Sequence, residues 1–162
     1  MNVYRWKSAV VVFGTILMLA GGFAAAAQQP AVQPLSTLYE RLGGLMPISV
    51  VVNDFIEVLV LDPVLNANPA IDAARQRVPA PYLKYHVTAM VCQATGGPCQ
   101  YHGRGMFESH VHLNITEKEW DRMLSLFREI LTRHRVPSKE TQELLDIVNS
   151  TKGDIVMKRT DS

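Results

Sequence analysis

The sequence predicts an all-α domain behind an apolar leader, and three observations lead to that fold class. Apolar side chains recur with the helical period of about 100° per residue: Leu83, Val87, Met90, Val91 and Ala94 make one stripe, and Trp120, Met123, Leu124, Phe127, Ile130 and Leu131 make another. Helix-start signals stand in front of such stripes, among them the capping box Thr116 with Glu119 and Pro47 at a first helical position. No convincing strand and no internal repeat is found.

The chain has 162 residues, a length that suits one domain able to bury a core without metal or disulfide staples. It begins with an export signal over residues 1–27. Arg5 and Lys7 precede the apolar run Ala9 to Ala20, and Gly21 to Ala27 offers small-residue cleavage sites, the last near Ala27. The uncharged run from Ser8 to Ala27, about 20 residues, is also long enough to stay as an N-terminal membrane anchor. Both fates place the domain outside the inner membrane, in the periplasm. Loss of the leader takes Arg5 and Lys7 from 16 basic residues, leaving 14 against 15 acidic ones. With no clustered Lys and Arg, nucleic acid is not an expected partner.

Gln28 to Leu35 is a polar, proline-bearing linker, and the domain is expected over residues 36–157. Ser36 is a fair N-cap for a short helix from Thr37 to Leu42, which Gly43 and Gly44 end. From Pro47 a longer helix carries Ile48, Val51, Val52, Phe55 and Leu59 on one face and stops near Asp62-Pro63. Between Pro63 and Pro81 the prolines at 63, 69, 79 and 81 forbid a long helix, so an irregular connection is expected there, with a couple of turns at most over Ala70 to Arg77. The Tyr82 helix follows, broken by Gly96-Gly97-Pro98. A short helix then carries Met106, Phe107, His110 and Leu113 at i, i+1, i+4 and i+7, neighbours on one helical face, which points His110 from an apolar face and His112 away from it. The Thr116-capped helix runs to about His134, whose cation suits the last turn. Val136-Pro137-Ser138 restarts the chain as a helix with Thr141, Leu144, Leu145, Val148 and Ile155 on one face, and residues 158–162 read as a frayed tail.

Few chemistries fit these residues. There is no phosphate loop, no H-E-x-x-H pair and no local nucleophile–base pattern, and Gly96-Gly97 lacks the preceding strand of a dinucleotide fingerprint. Cys92 and Cys99 make neither a zinc set nor a C-x-x-C-H attachment sequence; a disulfide across the Gly-Gly-Pro turn is open to them in an oxidising compartment. Cys92 falls opposite the apolar stripe of its helix, so such a bridge would pin the loop without entering the core. What remains is one imidazole, His110, on an apolar face, and a second, His86, on the rim of another. From spacing alone His110 is either a buried structural histidine with a backbone partner or a ligand.

Several motifs in order decide between these. Leu38-Tyr39-Glu40-Arg41-Leu42-Gly43-Gly44, then Gly96-Gly97-Pro98, Tyr101-x-Gly103-Arg104-x-Met106, and His110-x-x-Leu113-Asn114-Ile115-Thr116 resemble the truncated haemoglobins, the group-one branch in particular, and similarity continues through Val136-Pro137 and Leu144 to Val156. The resemblance covers residues 37 to 156. It implies a two-over-two helical sandwich enclosing haem b (protoheme IX), iron held by His110 as proximal ligand, and a diatomic gas (O2, NO or CO) as partner. It places His86 where some relatives carry a histidine able to become a sixth ligand, and Leu83, Val87, Met90, Phe55, Ile56, Met106, Phe107 and Tyr82 around the cofactor. Three departures bear on activity. Ile56 stands where the family usually has a tyrosine donor, Val87 where a glutamine is expected, and Leu83 is apolar too, so polar stabilisation of oxygen is weaker by about 1–2 kcal/mol for one buried hydrogen bond. Asn68-Pro69 and several extra residues replace the phenylalanine pair that wedges the haem; Tyr82, Phe55 or the inserted segment is left to supply that contact. Rival roles are an NO dioxygenase or peroxidase-like enzyme served by an unidentified reductase, a bis-histidyl electron-transfer globin, and an exported helical interaction module without haem.

Overall fold

The computed structural model describes residues 36–156; the leader, the linker and the 158–162 tail all lie outside that range. Nine helices occur among the described residues: α1 (Leu38–Arg41), α2 (Leu45–Leu61), α3 (Pro63–Asn66), α4 (Pro69–Arg77), α5 (Ala80–Ala94), α6 (Met106–His110), α7 (Glu117–Arg133), α8 (Ser138–Ser150) and α9 (Lys152–Ile155). The one β feature among them is an isolated bridge between Ile115 and Val156. No helix of the described residues is long and apolar enough to cross a membrane.

Two packed layers follow from the stripes. α2 lies against α5, α7 against α8, and α2 crosses α7 to join the pairs. One core cluster gathers Trp120, Leu124, Phe127 and Leu131 of α7 with Leu38, Leu144, Leu145 and Ile155; a second gathers Ile48, Val52 and Ile56 of α2 with Leu83, Val87 and Val91 of α5. Phe55 joins the clusters, its ring 5.1 Å from that of Phe127. The capping box read at Thr116 and Glu119 is present, and α7 buries every residue of its expected stripe except Met123, which is half-buried, and adds Leu126.

The first helix is shorter than expected and its cap is Thr37, not Ser36: Thr37 and Glu40 bond each other's backbone reciprocally. Arg41 then ties this corner to α8, donating to Glu140 at 2.9 Å, to Glu143 and to the Ser36 carbonyl at 2.8 Å. Gly43 and Gly44, both at φ 87°, make the turn into α2 in a backbone region that favours glycine.

The expected irregular connection between Pro63 and Pro81 is instead largely helical. Pro63 and Pro69 each sit at the first position of a helix, where the missing N–H costs nothing, and the residue before each proline caps that helix. Asp62 accepts from the Val64 and Leu65 N–H groups at 3.0 and 3.1 Å, and Asn68 from those of Ala70 and Ile71 at 2.9 and 3.4 Å. Asp62 is buried and also accepts two bonds from Arg122 of α7, at 2.9 and 2.7 Å. Burial pushes its carboxyl up, but Arg122 and the Leu65 and Val64 N–H groups outweigh this and hold it below the usual carboxylate value.

Candidate functional site

The loop between α5 and α6 brings the two candidate imidazoles onto neighbouring elements of the chain. Cys92, in the last turn of α5, is disulfide-bonded to Cys99, with the Cα atoms 5.8 Å apart. Cys92 is 0% exposed, which corrects the expectation that its side of the helix lies outside the core. α1 covers that side: the Tyr39 N–H donates to the Thr95 carbonyl at 2.8 Å, and a Cβ at Gly97 would come within 2.5 Å of the Tyr39 ring and 2.8 Å of the Cys92 carbonyl. Only glycine fits that approach. Tyr101 completes the loop, its N–H donating to Gln93 Oε1 at 2.6 Å and its hydroxyl to the Arg104 carbonyl at 2.9 Å.

His110 ends α6, a helix of five residues, and a 3₁₀ turn over Val111–Leu113 follows it directly. Its Nδ1 lies 2.8 Å from the Met106 carbonyl. A carbonyl only accepts, so Nδ1 carries the proton and Nε2 keeps a free lone pair. Burial lowers the imidazole pKa, the Met106 bond opposes this, and nearby His112 adds to the lowering, leaving the value below that of an ordinary histidine. The ring is therefore neutral at pH 7, with its remaining nitrogen available to a metal. Among the described residues no three His, Cys, Asp or Glu side chains converge as a bare ion would need. A single nitrogen donor of this kind suits iron whose other ligands come from a porphyrin.

The other candidates divide into three groups. Ile56, only 3% exposed, meets Leu83, Val87 and Phe55 in the apolar α2–α5 cluster, which Tyr39 also borders. The Tyr39 hydroxyl lies at the α1–α2 corner, where it accepts from the Leu45 N–H at 3.1 Å. Met106 packs against the main core. Met90 is half-buried, while Tyr82 at 57% and Phe107 at 53% expose large apolar rings on α5 and α6, the kind of surface that a flat apolar ligand covers.

His86 has surroundings that the sequence did not disclose in full. Its ring centroid lies 4.2 Å from Tyr82, 5.1 Å from Tyr85 and 5.9 Å from Tyr101, so three phenol rings hold it. Tyr82 and Tyr85 stand four and one residues before it on the same helix, a spacing visible in the sequence; Tyr101 arrives from the loop. His134, read as a cation at a helix end, pairs with Asp54 of α2 at 2.8 Å. A separate apolar cavity of about 440 Å³, walled by Leu42, Val51, Val91, Phe127 and Leu131, is lined by none of the candidate site residues.

Comparison with known proteins bears on the family and the fold. The family model described as bacterial-like globin matches residues 37–157. The group 1 truncated haemoglobin of Nostoc sp. is 32% identical over 125 residues, spanning 76% of this chain and all of that protein, and its counterpart from Nostoc commune is 31% identical over the same shares. Among solved structures, truncated haemoglobin from Tetrahymena pyriformis in its Fe(III) form has a TM-score of 0.63 at 21% identity, covering 76% of this chain and all of that one. The 2/2 haemoglobin of a Synechococcus species, with covalently attached haem, has a TM-score of 0.62 at 21% identity, covering 75% and 98%. With the two-layer helical architecture and the motifs running from Leu38 to Val156, these matches make the chain a member of the bacterial-like globin family, a truncated haemoglobin with the two-over-two fold.

Proposed function

We propose that this truncated globin holds haem b through His110 and binds a diatomic gas reversibly in an apolar distal pocket, outside the inner membrane. The observation that carries the ligation is the bond from His110 Nδ1 to the Met106 carbonyl, which fixes the tautomer and leaves Nε2 as the donor. The iron, when present, supplies the coordination position at which a gas binds. His110 gives the proximal nitrogen, and burial keeps it unprotonated at neutral pH. Ile56, Leu83 and Val87 exclude water and offer no donor to the gas. Tyr82 and Phe107 supply apolar faces to the macrocycle. Oxygen is thus held without a polar anchor, which favours rapid release and raises the standing of CO and NO as ligands. The same lack of a donor speaks against a dioxygenase or peroxidase role fed by a reductase, since both need a polarised ligand.

A second reading makes His86 a sixth ligand. It is favoured by one observation: the ring is packed by three tyrosines yet hydrogen-bonds none of the described residues, so its nitrogens remain open to a metal or to solvent. The leader over residues 1–27 supports export to the periplasm, with cleavage near Ala27 or retention as an anchor as its two outcomes.

The test is the spectrum of the haem-loaded protein. A Soret band and saturable CO binding are expected; neither appears if the domain is an interaction module without haem. A split pair of visible bands in the reduced protein, abolished in His86→Ala, assigns the sixth ligand, and a single broad band assigns an open position.

A further inference from the structure

Asn68 sits where the family resemblance expects an aromatic wedge, and its amide is bonded in two directions. Oδ1 caps α4, accepting from Ala70 and Ile71. Nδ2 donates at 2.9 Å to the carbonyl of Leu113, 45 residues further along the chain. That carbonyl closes the 3₁₀ turn that continues α6, three residues after His110. Asn114 then takes a left-handed conformation at φ 50°, so the chain leaves at once, and among the described residues the Asn68 amide is the one hydrogen-bond donor to Leu113.

Five residues of helix cannot hold a direction by themselves, because a helix this short is marginal without tethers. Besides its packing on α9, α6 has one hydrogen-bonded tether on each side of the imidazole. The Met106 carbonyl fixes the ring from the preceding turn, and the Asn68 amide fixes the peptide at Leu113, with α4 packed against that 3₁₀ turn. From His110 to the anchored Leu113 only Val111 and His112 intervene, and the Val111 N–H is itself bonded to the Phe107 carbonyl. A displacement at Leu113 therefore has little backbone slack in which to dissipate before it reaches His110.

We infer that Asn68 is a positioning residue for His110, holding the turn after α6 with a hydrogen bond so that the imidazole keeps the orientation in which it would hold the iron. The inference rests on the haem reading above. It assigns α4 a purpose: the inserted segment is a bracket that carries Asn68 to the proximal side.

Asn68→Asp separates this role from capping, because a carboxylate still accepts from Ala70 and Ile71 but has no hydrogen to give Leu113. In the full chain loaded with haem, three readouts are compared among the parent, Asn68→Asp and Asn68→Ala: haem transfer to an excess of a scavenging apoglobin, the iron–imidazole stretching band of the reduced protein, and hydrogen exchange at Ala70 and Ile71. In Asn68→Asp the two α4 amides keep parental protection, while haem leaves faster by about tenfold, the lower end of the effect of losing a residue that orients a metal ligand, and the stretching band shifts. Parental haem loss and an unshifted band in Asn68→Asp, with defects only in Asn68→Ala, reduce Asn68 to a helix cap and overturn the inference. A parent that takes up no haem defeats the reading above instead. The tie is then judged on the haem-free chain, where faster exchange over Val111 to Leu113 in Asn68→Asp upholds it and unchanged exchange overturns it.

Discussion

Introducing a donor at Val87 should slow oxygen release, and the structure sets the size of the effect. Val87 is half-buried on α5 and packs with Leu83 against the Ile48, Val52 and Ile56 cluster. A glutamine amide there would make a hydrogen bond that the parent lacks. One such bond in a dry pocket is worth about 1–2 kcal/mol, which at about 1.4 kcal/mol per decade corresponds to roughly 5- to 30-fold in the dissociation rate. Val87 is the better position for the test than Ile56, since Ile56 is 3% exposed and a phenol ring forced in there overpacks the cluster at a cost of about 1–3 kcal/mol. Stopped-flow displacement of oxygen by CO reads the rate directly. A fall of that size in Val87→Gln, with CO association changed much less, is expected. An unchanged oxygen rate in a folded, haem-loaded variant would show that Val87 does not face the ligand or that a donor already serves it, and the argument from an apolar wall would fail.

Other consequences follow from particular contacts. Reducing the Cys92–Cys99 bridge, or Cys99→Ser, should destabilise the domain by about 2 kcal/mol, the loop-entropy value for a sequence separation of 7, and denaturant unfolding with and without reductant measures it. Leu131→Ala removes a side chain that is 0% exposed in the last turn of α7 and should lower the unfolding free energy by about 2–5 kcal/mol by the same assay. Asp62 gives a pH dependence: its folded carboxyl lies below the unfolded value of about 3.9, so its stabilisation is complete above that value and disappears as pH falls through the folded one. The stability gap between parent and Asp62→Asn should therefore stay level from neutral pH down to about 5 and close below about 4; a gap that widens in acid contradicts the assignment.

Much of this fold can be read from local pattern, and the exceptions share a cause. α7 is legible because the helical periodicity over its 17 residues and the Thr116–Glu119 box agree with each other. The Pro63 to Arg77 region misleads because proline reads as a breaker, although Asp-Pro and Asn-Pro are also the pattern of a cap followed by a first helical residue, which is how both occur here. Cys92 could be placed opposite a stripe by helical projection, but projection cannot say that α1 folds over that side. At the site, the position of His110 is legible through the family motifs and its spacing from Met106 is visible as i, i+4; the rotamer that bonds Nδ1 to the Met106 carbonyl is not. The ring of Tyr101 beside His86, and the reach of Asn68 to Leu113, depend on tertiary approach that no periodicity encodes.

The most direct test of the proximal assignment is to replace His110 by glycine and add free imidazole. His110→Gly should take up haem weakly, with a Soret band displaced from that of the parent, and millimolar imidazole, by occupying the gap left by the side chain, should bring the parental band and CO binding back. A His110→Gly protein that binds haem with parental affinity and an unaltered spectrum before any imidazole is added would show that the iron is held elsewhere.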